Sequence, residues 1–246
     1  HPGRHAVWYG DDTQRSRAIA ILNALLGSWN RKGGFYIPEK VDMPHYPLPK
    51  YPKPSLKTGD AYPGKWPFAS QGVTNGVIEA SIGEDAFFKG WMVYGTNLPQ
   101  TIPGVAAKLR AAADSLDLVV VVETMPSEMT GYADVILPEC TYLERYDDVR
   151  NSGERHPSLA LRMPAFEPKY DSKPGWWIAK QLGEHLGLRK YFPWNDYADK
   201  IDWELRQVGS SLEEMQAIGV KNFPRKRPLY FREGEPARFF TPSRKI

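Results

Sequence analysis

Three residues placed just beyond apolar runs could do binding chemistry. Asn97 closes "YGTN", Glu123 ends "LDLVVVVE", and Arg145 ends "ADVILPECTYLER". The Asn97 amide offers a donor and an acceptor together, as a purine edge requires. The Glu123 carboxylate can accept two hydrogen bonds, as a ribose diol or a guanine edge would donate them. The Arg145 guanidinium is a fixed fork for phosphate or carbonyl oxygens. Each has a plainer reading. Asn after a strand is often a turn former, Glu123 can cap the arc that follows it, and Glu144 and Arg145 can be surface charges. Their shared position, rather than any one of them, is the signal.

Ordinary strands and helices must deliver them. "FKGWMVYG" (88–95) reads as a buried strand and "LDLVVVVE" (116–123) as a near-continuous apolar strand, as in a parallel sheet covered on both faces. "ADVILP" is a further short strand ended by Pro138. Between the first two lies "VAAKLRAAADSL", a strong helix former expected to begin near Thr101 with Pro103 in its first turn. Upstream, "HAVWY" (5–9) reads as a strand. After Gly10 comes a helix carrying Ala18, Ile21, Leu22, Leu25, Leu26 and Trp29 at helical spacing, stopped by "RKGG". A short helix fits residues 71–81. This alternation predicts an α/β fold, an open and mostly parallel sheet with flanking helices. Ligands of such sheets sit beyond the carboxyl ends of the strands. Those ends carry "YGDDT", the Gly95–Thr96–Asn97 turn and Glu123–Thr124.

Prolines at 38, 44, 47, 49, 52, 54, 63 and 67 forbid regular structure over residues 38–67, which read as a polyproline-like arm. After Arg145 the alternation fades into a smaller mixed α+β region. It has an extended loop with one strand, then helices in "WWIAKQLGEHLGL", "YADKIDWELRQVG" and "SLEEMQAIG". "RPLYF" and "ARFF" read as short strands. The domain reading is 1–145 and 146–246.

Composition narrows the function classes. The 246 residues are 41% hydrophobic and 13% aromatic, with net charge +3 and no Lys/Arg block, so nucleic acid is not an expected partner. The single cysteine, Cys140, follows an apolar run and reads as a small buried hydrophobe. No apolar run is long enough to span a membrane. No G-x-G-x-x-G, P-loop, H-E-x-x-H or G-x-S-x-G motif occurs. The chain opens on "HPGRH" rather than Met and reads as an internal piece of a longer protein.

"HPGRHAVWYGDDTQRSRAIAILNALLGSWNRKGG", "FKGWMVYGTNLPQT", "VVVVETMPSEMTGYADVILPECTYLER", "RNSGER", "PGWWIAKQLGEHLGL" and "FFTPSRKI" together resemble the catalytic subunit of molybdopterin oxidoreductases of the dimethyl sulfoxide reductase family, of polysulfide and thiosulfate reductase type. The resemblance implies a Rossmann-like domain, held in 1–145, that binds one arm of a molybdopterin guanine dinucleotide cofactor with Mo or W. Residues 146–246 would then pack toward an N-terminal domain with an iron–sulfur cluster outside this chain. By motif position it implies that Asn97, with Gly95 and Thr96, contacts the guanine nucleotide. Val122, Glu123 and Thr124 touch it as well, and Arg145 reaches it. His5 and Tyr9 line the pterin. Many members have an acidic residue before "WWI", where this chain has Pro174.

The resemblance further implies three partners: the rest of the catalytic subunit, a membrane anchor and a ferredoxin-like iron–sulfur subunit. It implies that the intact enzyme works in the periplasm or on the outer face of the cytoplasmic membrane. The reaction would reduce or oxidise polysulfide, thiosulfate or a related sulfur compound or oxyanion. The alternative is a scaffold protein of the same fold that has lost the metal.

Overall fold

The computed structural model describes residues 12–61, 73–235 and 242–244. The expected strand at 5–9 and the segment "ARFF" lie outside these residues. In chain order the elements are α1 (Asp12–Leu25), α2 (Thr74–Glu79), β1 (Gly90–Tyr94), α3 (Leu98–Thr101), α4 (Ala106–Ser115), β2 (Leu118–Glu123), β3 (Val135–Pro138), β4 (Arg150–Asn151), β5 (Ser158–Ala160), α5 (Gly175–His185), α6 (Tyr197–Arg206), α7 (Leu212–Ile218) and β6 (Val220–Asn222). The chain forms two compact units, each discontinuous in sequence. One holds residues 45–147 and 162–203, the other 1–44, 148–161 and 204–246. The chain leaves the first unit after Asp147 and re-enters it at Arg162.

The first unit contains the parallel sheet β1-β2-β3, with β2 in the centre. Four successive β-branched residues, Val119 to Val122, favour the strand. All four are buried, as a central strand covered on both faces demands. Val119 and Val121 pack with Ile78 of α2, Leu109 and Ala112 of α4, and Leu98, Val105 and Met129. Each buried Val, Leu, Ile or Met among them stabilises the unit by about 1.5–3 kcal/mol relative to exposure. Tyr94 lies opposite Val122, and Glu123 opposite Pro138, so the carboxyl ends of all three strands share one edge.

Two expectations change here. β1 is not a buried strand, because it lies at the side of the three-stranded sheet and its residues alternate between exposed and half-buried. The helix expected from Thr101 is broken in two. Pro103 disfavours the helical conformation at Ile102, and Gly104 turns with φ +67°. The long helix therefore starts at Ala106.

The second unit contains the antiparallel sheet β4-β5-β6. α7 begins where the Ser211 hydroxyl accepts the Glu214 N–H at 3.1 Å and ends at Gly219, φ +69°. "RPLYF" forms no strand, although the Leu229 carbonyl accepts the Ile37 N–H and the Phe231 N–H donates to Asn30. α1 forms where the apolar spacing predicts it, yet Leu22, Leu25 and Leu26 of its stripe are exposed. Spacing sets the stripe and not its cover.

From Glu39 to Lys57 the proline-rich segment has no helix or strand beyond one bridge at Glu39. Aromatic contacts fix its later part: Tyr46 packs edge-on to Trp194 and Trp203, and Tyr51 lies against Tyr191.

Candidate functional site

The carboxyl edge of β1-β2-β3 begins with a forced turn. Gly95 adopts φ +57°, a conformation that costs an L side chain strain. Its N–H donates to the Val122 carbonyl at 3.0 Å, which ties the turn to the central strand. Val122 is thereby committed: its side chain is buried and its carbonyl is taken. Thr96 is exposed and its hydroxyl donates to the Tyr94 carbonyl. Among the described residues, the backbone N–H groups of Thr96 and Asn97 have no acceptor.

Asn97 precedes α3, but its side chain does not cap that helix. Its Nδ2 donates instead to Glu128 Oε2 at 2.5 Å, beside Gln100 Nε2 on Glu128 Oε1 at 2.9 Å. The turn-former reading does not account for a contact to a residue 31 positions away. The Asn97 amide, then the backbone N–H of Glu128 itself and the Gln100 amide, hold the Glu128 carboxyl below the usual range. Nδ2 donates to Glu128, but Asn97 leaves Oδ1 buried and without a partner. The Ser127 hydroxyl, next to Glu128, is likewise buried and unpartnered. Native interiors seldom leave such atoms unpaired, so two at one edge point to a ligand or water.

Glu123 lies at the end of β2, half-buried, and its Oε1 accepts the Thr124 N–H at 2.9 Å. Its Oε2 has no partner among the described residues. Thr124 and Met125 are exposed beside it. A cleft of about 350 Å³ runs along β1 from α2 to this edge, lined by Ile78, Trp91, Met92, Tyr94 and Thr96 among others.

Arg145 lies in a cluster of carboxylates. Its Nη1 sits 2.5 Å from Glu139 Oε1 and donates to the Cys140 carbonyl at 2.9 Å, while Nε donates to Asp147 Oδ1 at 2.9 Å. Burial opposes the Arg145 charge, but the hydrogen bond to Asp147 and the charge of Glu139 outweigh it, so its pKa rises. Glu139 also accepts the Tyr94 hydroxyl and, at 3.1 Å, the Gly175 N–H that opens α5. Burial of the hydroxyl, then its bond to the Glu139 carboxylate, push Tyr94 up to about 12. Glu144 is no surface charge: it is buried, and its carboxylate accepts the N–H groups of Lys169 at 2.9 Å and Thr141 at 2.7 Å. Cys140 is buried, and burial pushes its thiol pKa up.

The edge thus brings together Gly95, Thr96, Asn97, Val122, Glu123 and Thr124, with Arg145 in the adjoining charge cluster. His5 and Tyr9 lie outside the described residues. Sequence spacing does not single out Ser127, Glu128 or Glu139, since only the fold carries them to this edge. Among the described residues, no group of three or more His, Cys, Asp or Glu could hold a metal ion.

The free amides and orphaned polar atoms lie at the carboxyl edge of a parallel α/β sheet, the place where folds of this class take their ligands. The chain belongs to the molybdopterin oxidoreductases: residues 72–185 match the model of the family described as "Molybdopterin oxidoreductase". It is 32% identical to the thiosulfate reductase molybdopterin-containing subunit PhsA of Salmonella typhimurium, over 98% of this chain and 33% of that protein. It is 24% identical to a sulfite dehydrogenase chain of Allochromatium vinosum, over 80% of this chain and 26% of that protein. Among solved structures, acetylene hydratase from Pelobacter acetylenicus shares the fold, with TM-score 0.56 and 24% identity over 72% of this chain and 24% of its own. The chain therefore spans a third or less of the length of these relatives.

The family implies a molybdenum or tungsten pterin cofactor. The residues present fit a polar part of such a group. The unpartnered Asn97 Oδ1 and Ser127 Oγ, with the free N–H groups of Thr96 and Asn97, supply acceptor and donors at one edge.

Proposed function

We propose that this chain is part of the catalytic subunit of a molybdopterin oxidoreductase and that its parallel-sheet edge holds one guanine dinucleotide arm of the cofactor. The observation that carries the reading is the orphaned Asn97 Oδ1 at the end of β1 in a chain with this family domain. Asn97 and Ser127 bind polar edges of the nucleotide, Glu123 Oε2 accepts from its sugar or base, and the free turn amides face its oxygens. The rigid β2 core keeps these groups in place before the ligand arrives. When bound, the cofactor supplies two-electron redox chemistry, and this chain supplies binding, orientation and exclusion of water. Arg145 acts at one remove, through Glu139.

The intact enzyme, on this reading, oxidises or reduces polysulfide, thiosulfate or a related small sulfur compound or oxyanion. The similarity to chains of a thiosulfate reductase and a sulfite dehydrogenase supports that class. An iron–sulfur domain, a membrane anchor and a ferredoxin-like subunit complete the assembly, which works at the periplasmic face.

The test uses the natively purified full-length protein. Asn97→Ala with Ser127→Ala is expected to weaken retention of the cofactor by about 2- to 10-fold per lost hydrogen bond. The readouts are metal content and guanine nucleotide released on denaturation. Unchanged content in the double variant overturns the site. A parent holding neither metal nor pterin overturns the catalytic reading and leaves the scaffold one.

A further inference from the structure

The sheet β4-β5-β6 carries a groove that the cofactor reading does not use. Arg150 pairs with Ala160, and Ser158 with Asn222. Side chains alternate along a strand, so these four share one face. The other face carries Asn151, Leu159 and Lys221, with Leu159 fully buried. The loop from β4 to β5 brings Ser152, Glu154, Arg155 and His156 over the first face. Together these residues line an open groove of about 320 Å³. That is room for a small anion and several waters of roughly 30 Å³ each.

The loop is pinned from behind. Glu154 exchanges backbone hydrogen bonds with Glu39 at 3.2 and 3.3 Å. The Arg155 carbonyl accepts from Arg225 Nη1 at 2.5 Å, and the Pro157 carbonyl accepts the Phe223 N–H at 2.8 Å. This backbone presents the side chains of Arg155 and His156 without needing a ligand to order it. Among the described residues, neither the Arg150 nor the Arg155 guanidinium has an ion pair or side-chain hydrogen bond. Glu154 is the lone carboxylate in the lining, against two arginines and a histidine. Ser152, Ser158 and Asn222 add neutral donors.

We propose that this groove is a binding site for a doubly charged tetrahedral oxyanion, either a phosphoryl group or a sulfur oxyanion. Arg150 and Arg155 supply the charge and forked donors that such oxygens take in pairs. Ser158 and Asn222 close the shell on the sheet floor. The proposal stands on the second unit alone and does not depend on the function of the parallel-sheet edge.

Calorimetric titration of the whole chain with inorganic phosphate, diphosphate, sulfate and thiosulfate, at low and moderate salt, tests it. Saturable one-to-one binding of at least one anion is expected. Arg150→Gln with Arg155→Gln should weaken it by about tenfold or more, and Asn222→Asp, which adds a carboxylate, should weaken it similarly. Arg189→Gln, in the other unit, should leave it unchanged. Diphosphate or phosphate binding more tightly assigns the site to a phosphoryl group, and thiosulfate or sulfate binding more tightly assigns it to a sulfur oxyanion. No saturable binding of any anion, or binding unchanged in both groove variants, overturns the proposal. Thermal unfolding of each variant separates lost binding from lost fold.

Discussion

Glu139, which sequence spacing does not single out, joins three groups at the sheet edge through its side chain. One carboxylate oxygen meets Tyr94 of β1, Arg145, and the first N–H of α5. Replacing it by Ala leaves a half-buried guanidinium with only Asp147 and the Cys140 carbonyl. The expected cost is about 2–3 kcal/mol, below the full value for a broken buried pair because those partners remain. Urea denaturation measures it. Glu139→Gln also removes the charge that opposes ionisation of Tyr94. The phenol, at about 12 here against an ordinary 10.0, should titrate lower in the variant, as followed by phenolate absorbance. Since the folded-state pKa is the raised one, its contribution to stability is complete below pH 10 and fades as pH rises through about 12. Glu144 has the opposite sign. The N–H groups of Lys169 and then Thr141 lower its pKa, so its contribution is present above the ordinary value of 4.5 and fades as pH falls. The melting temperature of Glu144→Gln should therefore depend less on pH in the acid range than that of the parent chain.

Among the elements, α5 depends on a carboxylate from another element for its start. Pro174 precedes it without a side-chain cap, and Glu139 takes the Gly175 N–H in place of a local cap. A Cβ at Gly175 would come within 2.5 Å of Tyr94 Oη and 2.6 Å of Glu139 Oε1. Gly175→Ala, normally favourable in a helix, should destabilise the chain by about 1–3 kcal/mol through overpacking. Denaturant midpoints would show it, and a stabilised variant would mean that the cluster shifts freely. α5 and β2 are readable in sequence because their signals are periodic and local: helical spacing in "WWIAKQLGEHLGL" and a run of β-branched residues. The placing of Asn97 and Glu123 at strand ends is readable for the same reason. What is not readable depends on partners far along the chain. Asn97 meets Glu128 only once α3 and the turn after β2 are packed together, and Arg145 falls among carboxylates supplied by Glu139 and Asp147. The break at Pro103 is a local signal masked by the helix propensity of "VAAKLRAAADSL".

Across the whole molecule, apolar surface is left open that a self-contained domain would cover. On α1 and the turn that ends it, Leu22, Leu25 and Leu26 are 58–79% exposed. On β3, Val135 and Ile136 are exposed at the side of the sheet, where the backbone has no further strand partner among the described residues and invites one. Contiguous apolar surface of this kind marks association. The chain in isolation should therefore self-associate as its concentration rises, measured by sedimentation velocity. Leu22→Glu with Leu25→Lys places opposite charges three residues apart on the exposed face of α1, an arrangement worth a few tenths of a kcal/mol in its own right. The double variant should sediment closer to a monomer while its unfolding free energy stays within about 1 kcal/mol of the parent. A loss of several kcal/mol would instead mean that this stripe is buried within the folded chain, since only the removal of packed leucines costs that much.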